Sequence, residues 1–567
     1  MGRHLARAAI GLALIAGAPE TSWIFGSSSW SPGSSDPRTE RGGLPFTQAT
    51  VADELRRLLS AADRLDGQPS RAEVGMLHSL YGADYRPLWI DPSLLPSAAA
   101  AAALDSVGRA GEDGLNPAAY VFVEPARLAG RTPLSAEEAA RVDLGLSLGF
   151  ARYVRHIHMG RVDPRDVGFR LDAPPDDHDF AAIVRQAASD GRIVELVQQF
   201  RPPPPQYAAL QQQLARYRAL ATAWRTLPPL PFDAVVRPGD PWPGVMALSQ
   251  RLPDLGDWPA GAPAVGGDKY DGAVVAAVQQ FQMRHGLEAD GIIGKATRAA
   301  LDVPLDTRVR QIELALERMR WLTHPQEERI VTVNIPMFRL WSRDARPGPV
   351  PPPAMNVIVG RALNTRTPVF TAVMQDVVFA PYWNVPVSIL RGEILPAIVH
   401  NPRYLETHAM EIVDGPGDDA RVLAATPETL ARLHRGELRV RQRPGPANSL
   451  GTVKFVFPNA HDVYMHGTPA QSLFGRPRRD FSHGCVRLEK PVDMALWLLA
   501  EQGWTHERIL EAMAQRRPQT VRLERPVRVL MFYVTAAVTP DDGLVHFAED
   551  VYGHDARLER ALKAARS

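Results

Sequence analysis

"VKFVFPNAHDVYMHGTPAQSLFGRPRRDFSHGCVRLEKP", residues 453–491, decides how the C-terminal half of this chain reads. Residues 453–467 supply a strand, a turn and a second strand, which sets His466 at a strand end. Nineteen positions on comes Cys485, the only cysteine in 567 residues, so no intramolecular disulfide can form. A free thiol, with a pKa of about 8.5, is mostly protonated at neutral pH; a neighbouring imidazole that takes the proton leaves a nucleophilic thiolate. The intervening loop can return Cys485 to the side of His466. Cys485 is then the expected nucleophile and His466 the expected general acid and base. This reading expects a thiolate–imidazolium pair, with the thiol well below its ordinary range. Gly484 lets the backbone approach a substrate, and the amides around His483, Gly484 and Cys485 are candidates to face a developing oxyanion. Taken singly, a lone cysteine is usually a small buried hydrophobe, and a lone histidine a packing residue. Ser482-His483-Gly484-Cys485-Val486-Arg487 behind His466-Gly467-Thr468 is a joint pattern, and the joint pattern points to nucleophilic catalysis. One cysteine with two histidines lacks the paired spacing of a zinc site, so no metal is expected.

Working outward, the pattern from about 325 onward is strand-rich. "RIVTVNIPMFRLW" (329–341) and "LGTVKFVFPN" (450–459) alternate apolar and polar residues, as half-buried strands do. Residues 387–438 between them read as a helical insertion, a lid or substrate wall. The apolar run 529–538 is too short to span a membrane and reads as a core strand, and 541–567 read as a C-terminal tail. Toward the N-terminus, residues 46–235 are helical in pattern. "VADELRRLLSAADRL" (51–65) and "LGLSLGFARYVRHIHMG" (144–160) space apolar residues for helices, and "RPPPPQ" (201–206) breaks the run. His156 and His158, two apart, share no helix face and carry no metal expectation. Residues 1–18 carry Arg3 and Arg7, an apolar run at 8–16 and small residues at Ala16 and Ala18, the pattern of a secretory signal. Residues 19–45, rich in Gly, Ser and Pro, read as a flexible linker. Export is expected, with a membrane tether if the signal stays uncleaved. Export also sharpens the reading of an unpaired cysteine, which is a liability in an oxidising compartment. The 64 basic and 63 acidic residues leave a net charge of +1, which argues against a nucleic-acid binder. The length implies several domains.

Residues 236–305 form a smaller helical unit. Val274, Val275, Val278 and Phe281 make an apolar helix face, Gly286 stands at the expected C-cap, and a tight turn at "ADGIIGKAT" leads into a second helix from Thr297 to Leu301. Asp290, Gly291, Gly294, Thr297, Ala300 and Leu301 fit the D-G-x-x-G-x-x-T-x-x-A-L mark of the three-helix peptidoglycan-binding domain of cell-wall enzymes, which this segment resembles. The alternative is a spacer that keeps the turn without the ligand groove.

The catalytic pattern resembles that of the L,D-transpeptidases, whose YkuD-type domain carries a histidine, a gap of about fifteen residues and then S/T-H-G-C. The resemblance extends to "RTPVF" (366–370), "PYWNVP" (381–386) and "RQRPGPANSLGTVKFVFPN" (441–459), and to the order of parts in the large periplasmic members. It implies a multidomain α+β chain: helical N-terminal scaffold (46–235), small three-helix peptidoglycan-binding domain (236–305), and strand-rich YkuD-type catalytic domain (306–540) with a helical lid insertion. The implied reaction takes a peptidoglycan stem tetrapeptide as donor. Cys485 attacks the third residue's carbonyl, D-Ala leaves through His466, and a neighbouring stem's side-chain amine resolves the thioester into a 3–3 cross-link. The same residues would serve an L,D-carboxypeptidase with water as acceptor. A non-catalytic wall-binding scaffold is the reading from another class. The resemblance implies no cofactor, carbapenems as inhibitors that acylate Cys485, and cell-wall synthases as partners. His483 and Ser482 would shape the loop, Arg487 would fix it or meet a substrate carboxylate, and Tyr464, Trp383 and Asn384 would line the cleft. Many large members place Asp after the base, whereas this chain has Gly467, so a backbone carbonyl must orient His466 here.

Overall fold

The computed structural model describes residues 46–565 apart from 62–64, 130–131, 172–176, 204, 233, 264–265, 323–328, 364 and 540–541. The signal and linker expected over 1–45 lie outside the described residues. No described helix is long and apolar enough to cross a membrane.

The N-terminal region is helical, built around the 24-residue helix Ala136–Met159. Ser135 and Glu138 close a capping box at its start. It stops at Gly160, where φ is +80° and a Cβ would come within 2.6 Å of the Trp321 indole nitrogen, so only glycine fits. Asp143, buried on this helix, accepts from the Tyr81 hydroxyl at 2.8 Å and from the Leu88 and Trp89 amides at 2.9 and 2.7 Å. That satisfied carboxylate ties the helix to the segment that precedes it.

Three helices follow, Val245–Leu255, Gly272–Arg284 and Lys295–Leu301. Val274, Val278 and Phe281 are buried, as an inward face requires. The turn motif is held from within. Gln282 Nε2 donates to Asp290 Oδ1 at 2.9 Å, and its Oε1 accepts from the Gly291 amide at 2.8 Å. Gly291 has φ +73°, and a Cβ there would strike Val275 at 2.8 Å.

The C-terminal region is a mixed sheet. Its strands, with those of the insertion, are β1 (Ile330–Asn334), β2 (Arg339–Arg343), β3 (Ala354–Gly360), β4 (Phe370–Phe379), β5 (Trp383–Asn384), β6 (Met410–Asp414), β7 (Arg421–Leu423), β8 (Arg439–Gln442), β9 (Val453–Val456), β10 (Met465–His466), β11 (Asp480–Ser482), β12 (Val486–Leu488), β13 (Gln519–Phe532), β14 (Ala536–Val538) and β15 (Val545–Phe547). The main sheet runs β11-β3-β12-β10-β9-β4-β13-β1-β2, and β2 also pairs with β3, so the pairings close into a ring. Val333, Leu340, Val357, Met374, Phe455, Met465, Val486 and Val529 fill its interior. Closure covers the outer edge of β2, and β11, paired with β3, stays outside the ring.

Three expectations are corrected. Residues 329–341 are not one strand but a hairpin, β1 and β2, turning at Phe338 with φ +53°. The insertion at 387–438 is not purely helical. It carries β6 and β7, and with the flanking β5 and β8 these form a separate four-stranded sheet, order β5-β8-β6-β7, over a core of Ile389, Leu390, Ile394, Ile412, Leu433 and Val440. A helical pattern over short segments cannot distinguish two- and three-residue pairings from turns. Residues 541–567 are not a tail. β15 pairs with β14, and helix His554–Ala564 buries Leu558 and Leu562 in the core of the main sheet. Asp555 on that helix pairs with the fully buried Arg318 at 2.5 Å. Sequence position suggested a tail, but burial decides otherwise.

Candidate active site

The site forms where β10 lies between β9 and β12. His466 stands opposite Lys454 on β9 and opposite Arg487 on β12, while Met465 stands opposite Phe455 and Val486. Strand side chains alternate faces, so Phe455, Met465 and Val486 enter the core. Lys454, Tyr464, His466, Cys485 and Arg487 therefore share the other face. The alternation "VKFV", "VYMH" and "CVRL" encodes this row.

His466 Nδ1 lies 2.5 Å from the Gly467 carbonyl oxygen, with the Leu450 carbonyl as a second acceptor. A carbonyl only accepts, so Nδ1 carries the proton and Nε2 keeps its lone pair. A backbone carbonyl thus occupies the orienting role that an Asp at position 467 would have held. Burial first, then the nearby Arg487 charge, push the imidazole down to about 3, and it is neutral at physiological pH.

Cys485 is half-buried, and its thiol donates to the Asp462 carbonyl at 3.8 Å. Asp462 turns the chain between β9 and β10 with φ +53°, which aims that carbonyl at the sulfur. Burial pushes the thiol above its ordinary range; the Tyr464 amide and hydroxyl, and then the Lys454 and Arg487 charges, pull it back. The expected resting ion pair is therefore corrected: thiol and imidazole are both neutral. Burial penalises both charged forms, and among the described residues no hydrogen bond joins them.

The loop is built by short contacts. Ser482 Oγ donates to the Cys485 carbonyl at 2.6 Å and accepts from the Gly484 amide at 3.2 Å. Gly484 sits at φ +120° and its carbonyl accepts from Thr367 Oγ1 at 2.7 Å. Ser482 thus takes up the Gly484 amide, one of the three expected oxyanion donors. The His483 side chain turns away from the thiol, its Nε2 lying 2.7 Å from Glu393 Oε1 in the insertion. Tyr552, from the segment expected to be a tail, bonds the Gly360 carbonyl and accepts from the Thr367 amide at 3.3 Å.

Arg487 has a buried Nε without a partner, and the Arg361 charge is near enough to oppose its own. Tyr464 lies beside the base, ring centroids 5.7 Å apart. Trp383 instead packs against the insertion's core, and Asn384 accepts from Arg439 at 3.2 Å; none of their described contacts reaches the thiol. Sequence reasoning missed Lys454, Arg361 and Glu393. Only Lys454 had a local signal, its place in the alternation; the other two arrive from a distant loop and the insertion. Among the described residues no cluster of three or more His, Cys, Asp or Glu could hold a metal.

Three segments match known families. Residues 328–521 match the model described as "L,D-transpeptidase catalytic domain", 243–301 that described as "Putative peptidoglycan binding domain", and 76–214 that described as "Scaffold domain". A curated relative from Haemophilus influenzae, named "Putative L,D-transpeptidase", is 32% identical over 249 residues, 44% of this chain and 49% of that protein. The match thus spans about half the length of that relative.

Proposed function

We infer, from a chain that carries a YkuD-type L,D-transpeptidase catalytic domain and a peptidoglycan-binding domain, that this protein forms 3–3 cross-links between peptidoglycan stems through a Cys485 thioester. The observation that carries this reading is the row on one sheet face, with Cys485 beside Tyr464 and His466 presenting a bare Nε2. The proton passes from Sγ to Nε2 as sulfur attacks the third residue's carbonyl. The oxyanion gathers against the His483 and Cys485 amides, donors of a kind worth ~3 kcal/mol each. His466 returns the proton to the departing D-Ala amine, then takes one from the acceptor amine. Arg487 and Arg361, without a carboxylate partner among the described residues, suit a substrate carboxylate. The three-helix module would hold the enzyme at the wall, and export through the N-terminal signal would place it there. Synthase partners and acylation by carbapenems belong to the same reading.

Purified protein incubated with disaccharide-tetrapeptide, with products followed by mass spectrometry, tests the reaction. A cross-linked dimer is the expected product. A tripeptide alone would make the enzyme a carboxypeptidase, and unchanged substrate would make it a scaffold.

A further inference from the structure

Lys454 is one of only five lysines, against 59 arginines, in a chain whose Lys and Arg together number 64. Its ammonium lies 3.8 Å from the centroid of the Tyr464 ring. It is half-buried on β9, directly across from His466; burial pushes its ammonium down, and the charge that pulls it back is that of Cys485. Among the described residues it has no carboxylate partner, and a partly desolvated ammonium so placed is costly unless an anion forms beside it. The Tyr464 carbonyl accepts from the Val486 amide at 3.1 Å, which sets Tyr464 beside Cys485, and its amide and hydroxyl both favour the thiolate. Cation and ring thus stand together on the face that carries the thiol.

We propose that Lys454 is a positioning residue that holds the Cys485 thiolate through Tyr464. A cation on the ring face withdraws density from the phenol, and the hydroxyl becomes a stronger donor to the anion. When the proton leaves Sγ for His466 Nε2, sulfur keeps the electron pair and Lys454 keeps its protons. The anion is held by a charge that the transfer from Sγ to Nε2 leaves unchanged. The cost falls on His466, since Lys454 and Arg487 both oppose an imidazolium. The base therefore passes its proton on instead of storing it. The charged and titratable groups around the thiol are Lys454 from β9, Asp462, Tyr464 and His466 from the turn and β10, Arg487 from β12 with Arg361 behind it, and His483 with Glu393 from the loop and insertion.

This inference rests on Cys485 as nucleophile, and its test needs no stem peptide. The pH dependence of Cys485 alkylation by neutral iodoacetamide is followed by intact mass on the full chain. Lys454→Met is expected to raise the midpoint by about one unit, a ~10-fold slower reaction at neutral pH. Lys454→Arg keeps the charge and is expected to keep the midpoint. An unmoved midpoint in Lys454→Met overturns the proposal, as does a Lys454→Arg midpoint displaced as far as that of Lys454→Met. Should Lys454→Met lose its cooperative melting transition, Lys454→Gln is measured alone and with Tyr464→Phe. The lysine effect is expected to shrink when the hydroxyl is absent, and an undiminished effect overturns the route through Tyr464. If alkylation behaves as expected while no stem product forms, the reaction fails and this inference stands.

Discussion

At Gly484 the backbone sits at φ +120°, and a Cβ placed there would find its nearest neighbours, the carbonyl oxygens of Thr365 and Arg366, 3.9 Å away. Space is not the constraint; the conformation is. Gly484→Ala is expected to cost ~1–3 kcal/mol of backbone strain and to displace the neighbouring amides from the oxyanion. Denaturant melts and the product assay check this, and an alanine variant of full stability and turnover would mean the loop tolerates another path. The residue scale is also where sequence reading reached furthest. Cys485 and His466 as candidates follow from the linear motif, because strand alternation carries it into space, and the carbonyl beside the base from the resemblance, through Gly467. The charge state does not, since burial comes from elements far away in sequence. His483 shows the same limit: its place in the motif is plain, but its partner Glu393 lies 90 positions upstream.

The insertion is the element with the clearest boundary. Its ends are joined where Trp383 and Asn384 pair with Gln442 and Arg441, and the Val385 amide donates to the Val440 carbonyl at 3.0 Å. Replacing residues 387–438 by a short Gly-rich turn is therefore expected to leave the main sheet folded. Its touch on the catalytic loop, His483 to Glu393, is expected to make the excised enzyme lose cross-linking while Cys485 remains open to small alkylating reagents. Circular dichroism, alkylation and product analysis together check this, and retained cross-linking would reduce the insertion to decoration. Its existence was legible in the sequence, but its sheet was not, because strands of two to five residues leave no usable period.

Across the whole molecule, several buried or half-buried histidines are held neutral: His156 and His466 at about 3 and His554 at about 4, burial being the first cause in each. An unfolded histidine titrates at about 6.5. The native state therefore binds fewer protons than the unfolded chain between those values. Their contribution to stability is full above about pH 6.5 and is lost progressively as the pH falls toward 3 to 4. Denaturant midpoints at pH 7.5 and 5 are expected to differ in that direction, and His156→Gln is expected to lessen the difference; equal midpoints would contradict the account. Residues 542–565 belong to this scale too, since Leu558, Leu562 and the Asp555–Arg318 pair lock a segment that looks terminal in sequence into the core of the main sheet. The central claim is that one thiol in this assembly takes an acyl group from a stem peptide. Brief incubation with disaccharide-tetrapeptide, acid quench and peptide mass mapping test it most directly. The expected result is a thioester-linked disaccharide-tripeptide on the peptide that contains Cys485, absent in Cys485→Ser; cross-linked product formed at an undiminished rate by Cys485→Ser would contradict it.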